Sequence, residues 1–269
     1  MLSLYKPLES QSLSPASSFK FSCHGGLACY NQCCRTPTVI LSPYDILRLK
    51  QRLGISSGEF LRRYTRREAE ERSHLPLVLL EVADSAPGCP FVSADGCTVY
   101  EDRPGACRLF PLTQGSRLTP GGREDHYFCH RLDYCRGFAG EEEWTVQSWI
   151  QAQGFGEYEA HRREWLEILL RRGHEGLMAP DFRDQDLFYL VSYDQDHFRQ
   201  FIFTSALLPV YGLEGPEVER LKTDALALLQ FSYAYLKIAL LQEDPQLLQE
   251  ALRAATAAPA LFPSPNASV

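Results

Sequence analysis

The strongest constraint on this chain is where its cysteines fall: all nine lie between Cys23 and Cys135. They come in clusters, Cys23, Cys29, Cys33 and Cys34, then Cys89, Cys97 and Cys107, then Cys129 and Cys135. Neighbouring side chains diverge from the backbone. The adjacent pair Cys33–Cys34 therefore serves a packed core poorly and suits a site that takes sulfur from two directions. Free thiols at this density are an oxidation hazard, and a metal centre is the arrangement that would hold them. A disulfide scaffold fits less well. The count is odd, and residues 1–20 are polar and Ser-rich, with no apolar stretch of the kind that directs export. The expected compartment is the cytoplasm, where thiols stay reduced.

With 269 residues, 45% of them apolar, the chain can bury a core as one large domain or two modest ones. A net charge of −7 argues against nucleic acid as the main partner. The most apolar stretch, 225–241, carries Gln230, Ser232 and Lys237. It reads as a buried helix rather than a membrane span, which would need a longer and cleaner run.

The pattern of elements predicts an α+β fold: a flexible leader over 1–19, an irregular cysteine-rich domain over 20–140, a mainly helical domain over 141–258 and a disordered tail over 259–269. A short strand is expected over 35–41. Ser42-Pro43-Tyr44-Asp45 is a helix start, with Ser42 as cap, Pro43 in the first turn and Asp45 closing a capping box. Gly54 ends that helix, and Ser56 or Ser57 caps the next. Arg62, Arg63, Arg66 and Arg67, followed by Glu68, Glu70 and Glu71, read as a solvated helix face laced with local ion pairs. A strand is expected over 75–82, tight turns at Pro87-Gly88 and Asp95-Gly96, and an exposed loop over 113–125. Helices follow, capped by Thr145 and Asp194, with a break at Thr223-Asp224. The many aromatics of the C-terminal half sit at helical spacing and read as core.

Metal ligation needs thiolates that converge from separate loops. The spacing is Cys23-x5-Cys29-x3-Cys33-Cys34, then Cys89-x7-Cys97-x9-Cys107. No Cys-x2-Cys pair occurs, which removes the commonest zinc-knuckle signature and the ferredoxin run. Spacing alone leaves the metal open between an iron–sulfur cluster and Zn2+. The absent knuckle and the high thiol count slightly favour iron–sulfur. Arg35, Arg108 and Arg136 each follow a cysteine, and a buried anionic centre needs such nearby positive charge or donors.

The segment from Phe21 to Cys34, then Cys89-Pro90-Phe91, Gly96-Cys97-Thr98-Val99-Tyr100, Arg103-Pro104 and Cys107-Arg108-Leu109-Phe110-Pro111, and finally Cys135 with Gly137, resembles the YkgJ-type CxxCxxCC cysteine-cluster family of zinc- or iron-chelating domains. The resemblance covers about residues 21–150. It implies a ligand set of Cys23, Cys29, Cys33, Cys34, Cys89, Cys97, Cys107 and Cys135. The first block is stretched here, with five and three residues where the family's name implies two and two. Cys129 is an additional thiol, and the glycine-rich stretch after Cys135 favours Cys135 for the last place. Eight thiolates would close two four-cysteine sites, or leave four for one cluster. The family's flagellin lysine N-methylase implies methyl transfer to a protein substrate. No glycine-rich loop after a strand and no βαβ alternation support it in this sequence.

The reading that follows is a metal-binding cysteine-cluster protein with a redox, sensing or structural role. Its alternatives are a protein-lysine N-methylase and a zinc-stapled adaptor for a protein partner. The sequence singles out no catalytic residue and does not decide whether the chain is an enzyme. His24, His126 and His130 lie near cysteines, but each is more readily a surface or packing residue than a ligand.

Overall fold

The computed structural model describes residues 12–35, 37–82, 88–174 and 179–257. Helix outweighs strand, the strands form small separate sheets and the C-terminal region is helical, an α+β fold. The chain divides into two compact units at Pro180/Asp181. The tail expected over 259–269, the turn residue Pro87 and the first part of the expected leader lie outside the described residues.

The first unit is closed by a clasp. Strand β1 (Ser18–Lys20) pairs antiparallel with β9 (Glu143–Thr145), setting Phe19 opposite Trp144. Two ends of chain more than a hundred residues apart are thereby fixed, and all nine cysteines lie between them. Inside the clasp, β2 (Ile40–Leu41), β3 (Thr65–Ala69) and β4 (Pro76–Leu80) form an antiparallel sheet in the order β2-β4-β3. Helix α1 (Pro43–Leu53) starts at Ser42 with both bonds of the capping box in place and ends at Gly54, whose φ of 66° is the left-handed geometry glycine accepts without strain. Helix α2 (Ser57–Tyr64) is capped by Ser56.

Three expectations change in detail. The strand expected over 35–41 is reduced to Ile40–Leu41. The helix carrying the arginine run stops at Tyr64, and Arg66, Arg67 and Glu68 lie on β3, paired across to β4. Antiparallel pairing of all five β3 residues with β4 decides that segment. The loop expected over 113–125 is a hairpin of β7 (Leu112–Thr119) and β8 (Gly122–Cys129). Its polarity suggested a loop, but Arg117 and Glu124 stand opposite each other and form a 2.7 Å ion pair across the strands. The expected turn at Asp95-Gly96 joins β5 (Val92–Ser93) to β6 (Gly96–Cys97).

Helices α3 (Gly105–Leu109), α4 (Val146–Ala152) and α5 (Phe155–Arg172) complete this unit. Thr145 caps α4 through a capping box with Ser148. Tyr44, Phe60, Phe155, Tyr158 and Trp165 are fully buried here, so the helices after the clasp share a core with α1.

The second unit contains α6 (Phe182–Tyr193), α7 (Gln195–Thr204), α8 (Leu207–Val210), α9 (Pro216–Arg220), α10 (Ala225–Leu241) and α11 (Gln246–Ala257). The expected break falls at Asp224, whose side chain accepts from the Leu226 and Ala227 amides and caps α10. Asp194 precedes α7 as expected, but its carboxylate meets His197 Nδ1 at 2.6 Å rather than a backbone amide. Phe188, Phe198 and Phe231 are buried, as the core reading of the aromatics requires. Among the described residues, no helix is long and apolar enough to cross a membrane.

Candidate metal centre

The cysteines sit where regular structure is thinnest. Cys23 lies in irregular chain after β1 and Cys29 in a turn. Cys33 and Cys34 form most of a single helical turn, Gln32–Cys34, entered through Asn31 in the left-handed region at φ 63°. Cys89 precedes β5, Cys97 ends β6, Cys107 is the third residue of α3, and Cys135 lies in a turn before Gly137. None of the nine is disulfide-bonded.

Their mutual electrostatics sort them into two groups. Burial first, and then neighbouring Cys33, Cys135 and Cys29, push the Cys23 thiol up to about 11. Cys135 is raised by burial and by Cys29 and Cys33. Tyr134 is raised by burial and then by Cys33, Cys135, Cys34 and Cys29. This is one group, Cys23, Cys29 and Cys135, with the Cys33–Cys34 pair beside it. On the other side, Cys89 is raised by burial and by Cys97 and Cys33. Cys107 is raised by burial and then by Cys89, Asp45, Cys97 and Cys33. Cys33 is therefore near both groups, and its Sγ lies 4.0 Å from Cys34 Sγ. The hydrogen bond with Cys34 is the largest cause of its own upward shift, ahead of burial. The Cys34 carbonyl also accepts from the Cys89 amide at 2.7 Å, which ties the two groups through the backbone.

Cys107 combines two properties. It is exposed to solvent, yet burial is the leading cause of its shift.

Close approaches without side chains hold these segments. Gly137 lies so near the Phe21 ring and the Ser22 carbonyl that a Cβ would meet them at 2.5 and 2.9 Å. Its carbonyl accepts from the Ser22 amide at 2.9 Å. The Arg136 amide donates to Cys29 Sγ at 3.2 Å. Gly96, at φ 124°, lies against the Tyr30 hydroxyl, and Gly88, at φ 138°, against the Cys34 carbonyl. The three Cys-Arg dipeptides do not act alike. Arg108 turns its guanidinium to the Gln153 carbonyl at 3.0 Å, to the Glu101 carbonyl and over the Tyr158 ring. Arg136 acts here through its amide.

Two of the three histidines near cysteines have other partners. His24 Nδ1 accepts from the Gly26 amide at 3.2 Å, and His126 Nδ1 lies 3.2 Å from Ser12 Oγ. Cys129 is buried, 3% exposed, on β8 opposite Leu112.

Asp45 was legible in the sequence only as a helix cap. In the fold its Oδ1 also accepts from the Gly105 amide at 2.7 Å, two residues before Cys107. Burial raises its pKa, and the bonds from Gly105 and Ser42 offset part of that rise.

The donor set fits a metal of the zinc or iron kind. It is sulfur throughout, and burial and mutual repulsion, which disfavour the thiolates, are what a bound cation would relieve. The fit is in kind and grouping: among the described residues, no three Cys, His, Asp or Glu side chains already enclose a common point.

Residues 22–136 match the model of the CxxCxxCC family, described as "Putative zinc- or iron-chelating domain". Matches are found neither among curated proteins nor among solved structures.

Proposed function

We propose that this is a metal-binding protein in which Cys23, Cys29, Cys33, Cys34, Cys89, Cys97, Cys107 and Cys135 hold two neighbouring metal ions. One observation carries the reading: thiols from four separate stretches of chain gather as two groups that meet at Cys33–Cys34. The metal is Zn2+. It takes four sulfurs tetrahedrally, and two groups of three thiols that meet at an adjacent pair would supply four to each of two ions.

The role is structural. The thiols sit in irregular stretches, one single helical turn, a two-residue strand and a five-residue helix. Such pieces have too few ladder or helix bonds to hold themselves, and bound metal would supply that missing free energy. Methyl transfer is an implication of the resemblance and a protein-interaction role is the other alternative, with no residue here assigned to either.

Metal analysis and visible absorption of protein purified without oxygen test this. The expected result is a colourless protein with about two zinc ions, the number that eight thiolates close. A brown protein with iron and acid-labile sulfide would overturn the choice of metal. Cys34→Ser and Cys107→Ser should each lower metal content, and Cys129→Ser should leave it intact. Full metal in both of the first two variants would overturn the ligand assignment.

A further inference from the structure

The Asp45 carboxylate, 3% exposed, joins two helix starts. Oδ2 accepts from the Ser42 amide and from Ser42 Oγ, both at 2.7 Å, which completes the capping box of α1. That duty needs one oxygen. The other, Oδ1, accepts from the Gly105 amide at 2.7 Å, sixty residues along the chain.

Gly105 is the first residue of α3, and Cys107 is the third. Pro104, which precedes this helix, provides no side-chain cap. Asp45 fills that role from α1, satisfying an amide that the short helix leaves open. Position 105 is fixed from its other side as well: a Cβ there would lie 3.3 Å from Phe155 Cε2 and 3.5 Å from Tyr158 Cβ. At the far side of Cys107, Arg108 is bonded to the Gln153 carbonyl at 3.0 Å. The turn that presents the thiol is thus bracketed by contacts that involve no sulfur.

The choice of a carboxylate is informative. A helix start is capped as well by a neutral side chain. Here the cap is a carboxylate close enough to the Cys107 thiol for the two negative charges to oppose each other. A short two-oxygen acceptor is what spans Ser42 and Gly105 at once, and that span sets the α3 turn against α1.

We propose that Asp45 is a positioning residue for the metal centre: through the Gly105 amide it holds the Cys107 thiol where it joins Cys89 and Cys97. The proposal rests on Cys107 being a ligand. Residues that orient ligands in this way typically change metal affinity by roughly 10- to 100-fold when altered.

The test uses the full chain loaded with Co2+, whose sulfur-to-cobalt charge-transfer absorbance counts thiolates directly. Cys107→Ser should lose the share of one thiolate, roughly a quarter of one four-thiolate set. Asp45→Asn should lose a comparable share and release metal to a chelator about 10- to 100-fold faster. The double variant should lose no more absorbance than Cys107→Ser alone. Ser42→Ala, which weakens the same helix cap and leaves the Gly105 bond, should lower the melting temperature without changing the cobalt bands. A merely structural role for Asp45 predicts the opposite: Asp45→Asn and Ser42→Ala would behave alike. Should Asp45→Asn not fold, Asp45→Thr, which keeps an acceptor for Ser42 but is too short to reach Gly105, is read in the same way. Full charge-transfer intensity in the folded Asp45 variant, with loss in Cys107→Ser, would overturn this inference alone. Full intensity in Cys107→Ser would bring down the ligand assignment, and the inference with it.

Discussion

Replacing Gly137 by alanine tests how the clasp end of the chain holds the first thiol group. The added Cβ would stand 2.5 Å from Phe21 Cε2 and 2.9 Å from the Ser22 carbonyl oxygen. Carbon atoms are comfortable at about 3.5–4.0 Å, so roughly 1 Å must be found. The Phe21 ring cannot supply it cheaply. It is 1% exposed and set edge-on to Phe110, Phe138 and Trp149 at centroid distances of 5.9, 5.1 and 5.6 Å. The Ser22 carbonyl is backbone. The 136–138 turn is what yields, and overpacking of this kind costs about 1–3 kcal/mol. Its movement also strains the bond from the Ser22 amide to the Gly137 carbonyl, 2.9 Å long, a further loss of about 0.5–1.5 kcal/mol. The expected total is about 2–4 kcal/mol. With a urea slope of about 2–3 kcal/mol per molar, the midpoint should fall by about 1 M. Tryptophan fluorescence reads the right unit, because Trp144, Trp149 and Trp165 all precede Pro180. The same shift draws Cys135 and the Arg136 amide away from Cys29 Sγ, so metal should pass to a chelator faster. Gly156→Ala is the control. Nothing lies within 4 Å of its added Cβ, and it should be neutral or stabilising by up to about 1 kcal/mol. A Gly137→Ala midpoint within about 0.5 kcal/mol of the parent, with unchanged metal release, would refute the reasoning.

Two further outcomes can be measured. Because the Cys23 thiol is held up to about 11, it is protonated at neutral pH before metal arrives, and binding must expel that proton. Adding zinc to the metal-free chain in weak buffer should therefore acidify the solution, and affinity should fall on acidification by about tenfold per pH unit for each proton displaced. A pH-independent affinity between pH 6 and pH 8 would count against thiol ligation. Without metal the sign reverses: a raised folded pKa gives stability that is full below the thiol's ordinary 9.0 and is lost as pH climbs toward about 11. In the second unit, burial pushes the Asp224 carboxyl up, but the Ala227 amide, Arg220 and the Leu226 amide outweigh it and hold its pKa below the ordinary 3.8. Its contribution is present above that value and is lost as pH falls through the depressed pKa. Asp224→Ala should cost about 0.5–2 kcal/mol, read as faster hydrogen exchange in α10. Unchanged exchange would show that the cap contributes nothing.

What the sequence determined by itself is what a few neighbouring residues can decide. Ser42-Pro43-Tyr44-Asp45, Ser56, Thr145 and Asp224 start helices where their side chains reach amides two or three residues ahead. Asp95-Gly96 turns the chain because glycine tolerates φ 124°. The donor chemistry was legible too, since nine clustered thiols leave few alternatives to metal. Other features needed partners far along the chain. The 113–125 segment became a hairpin only through cross-strand pairing such as Arg117 with Glu124. The spacing of Cys129 and Cys135 makes both available. The β7–β8 pairing buries Cys129, and the Gly137 turn against Phe21 and Ser22 sets Cys135 beside Cys29. The meeting of two thiol groups at Cys33–Cys34, and the second bond of Asp45, likewise come from closing loops of tens of residues. Local hydrogen-bond signals do not encode such closures. The β1–β9 clasp and the shared core of α1 and α5 decide them, because only packing brings those segments together.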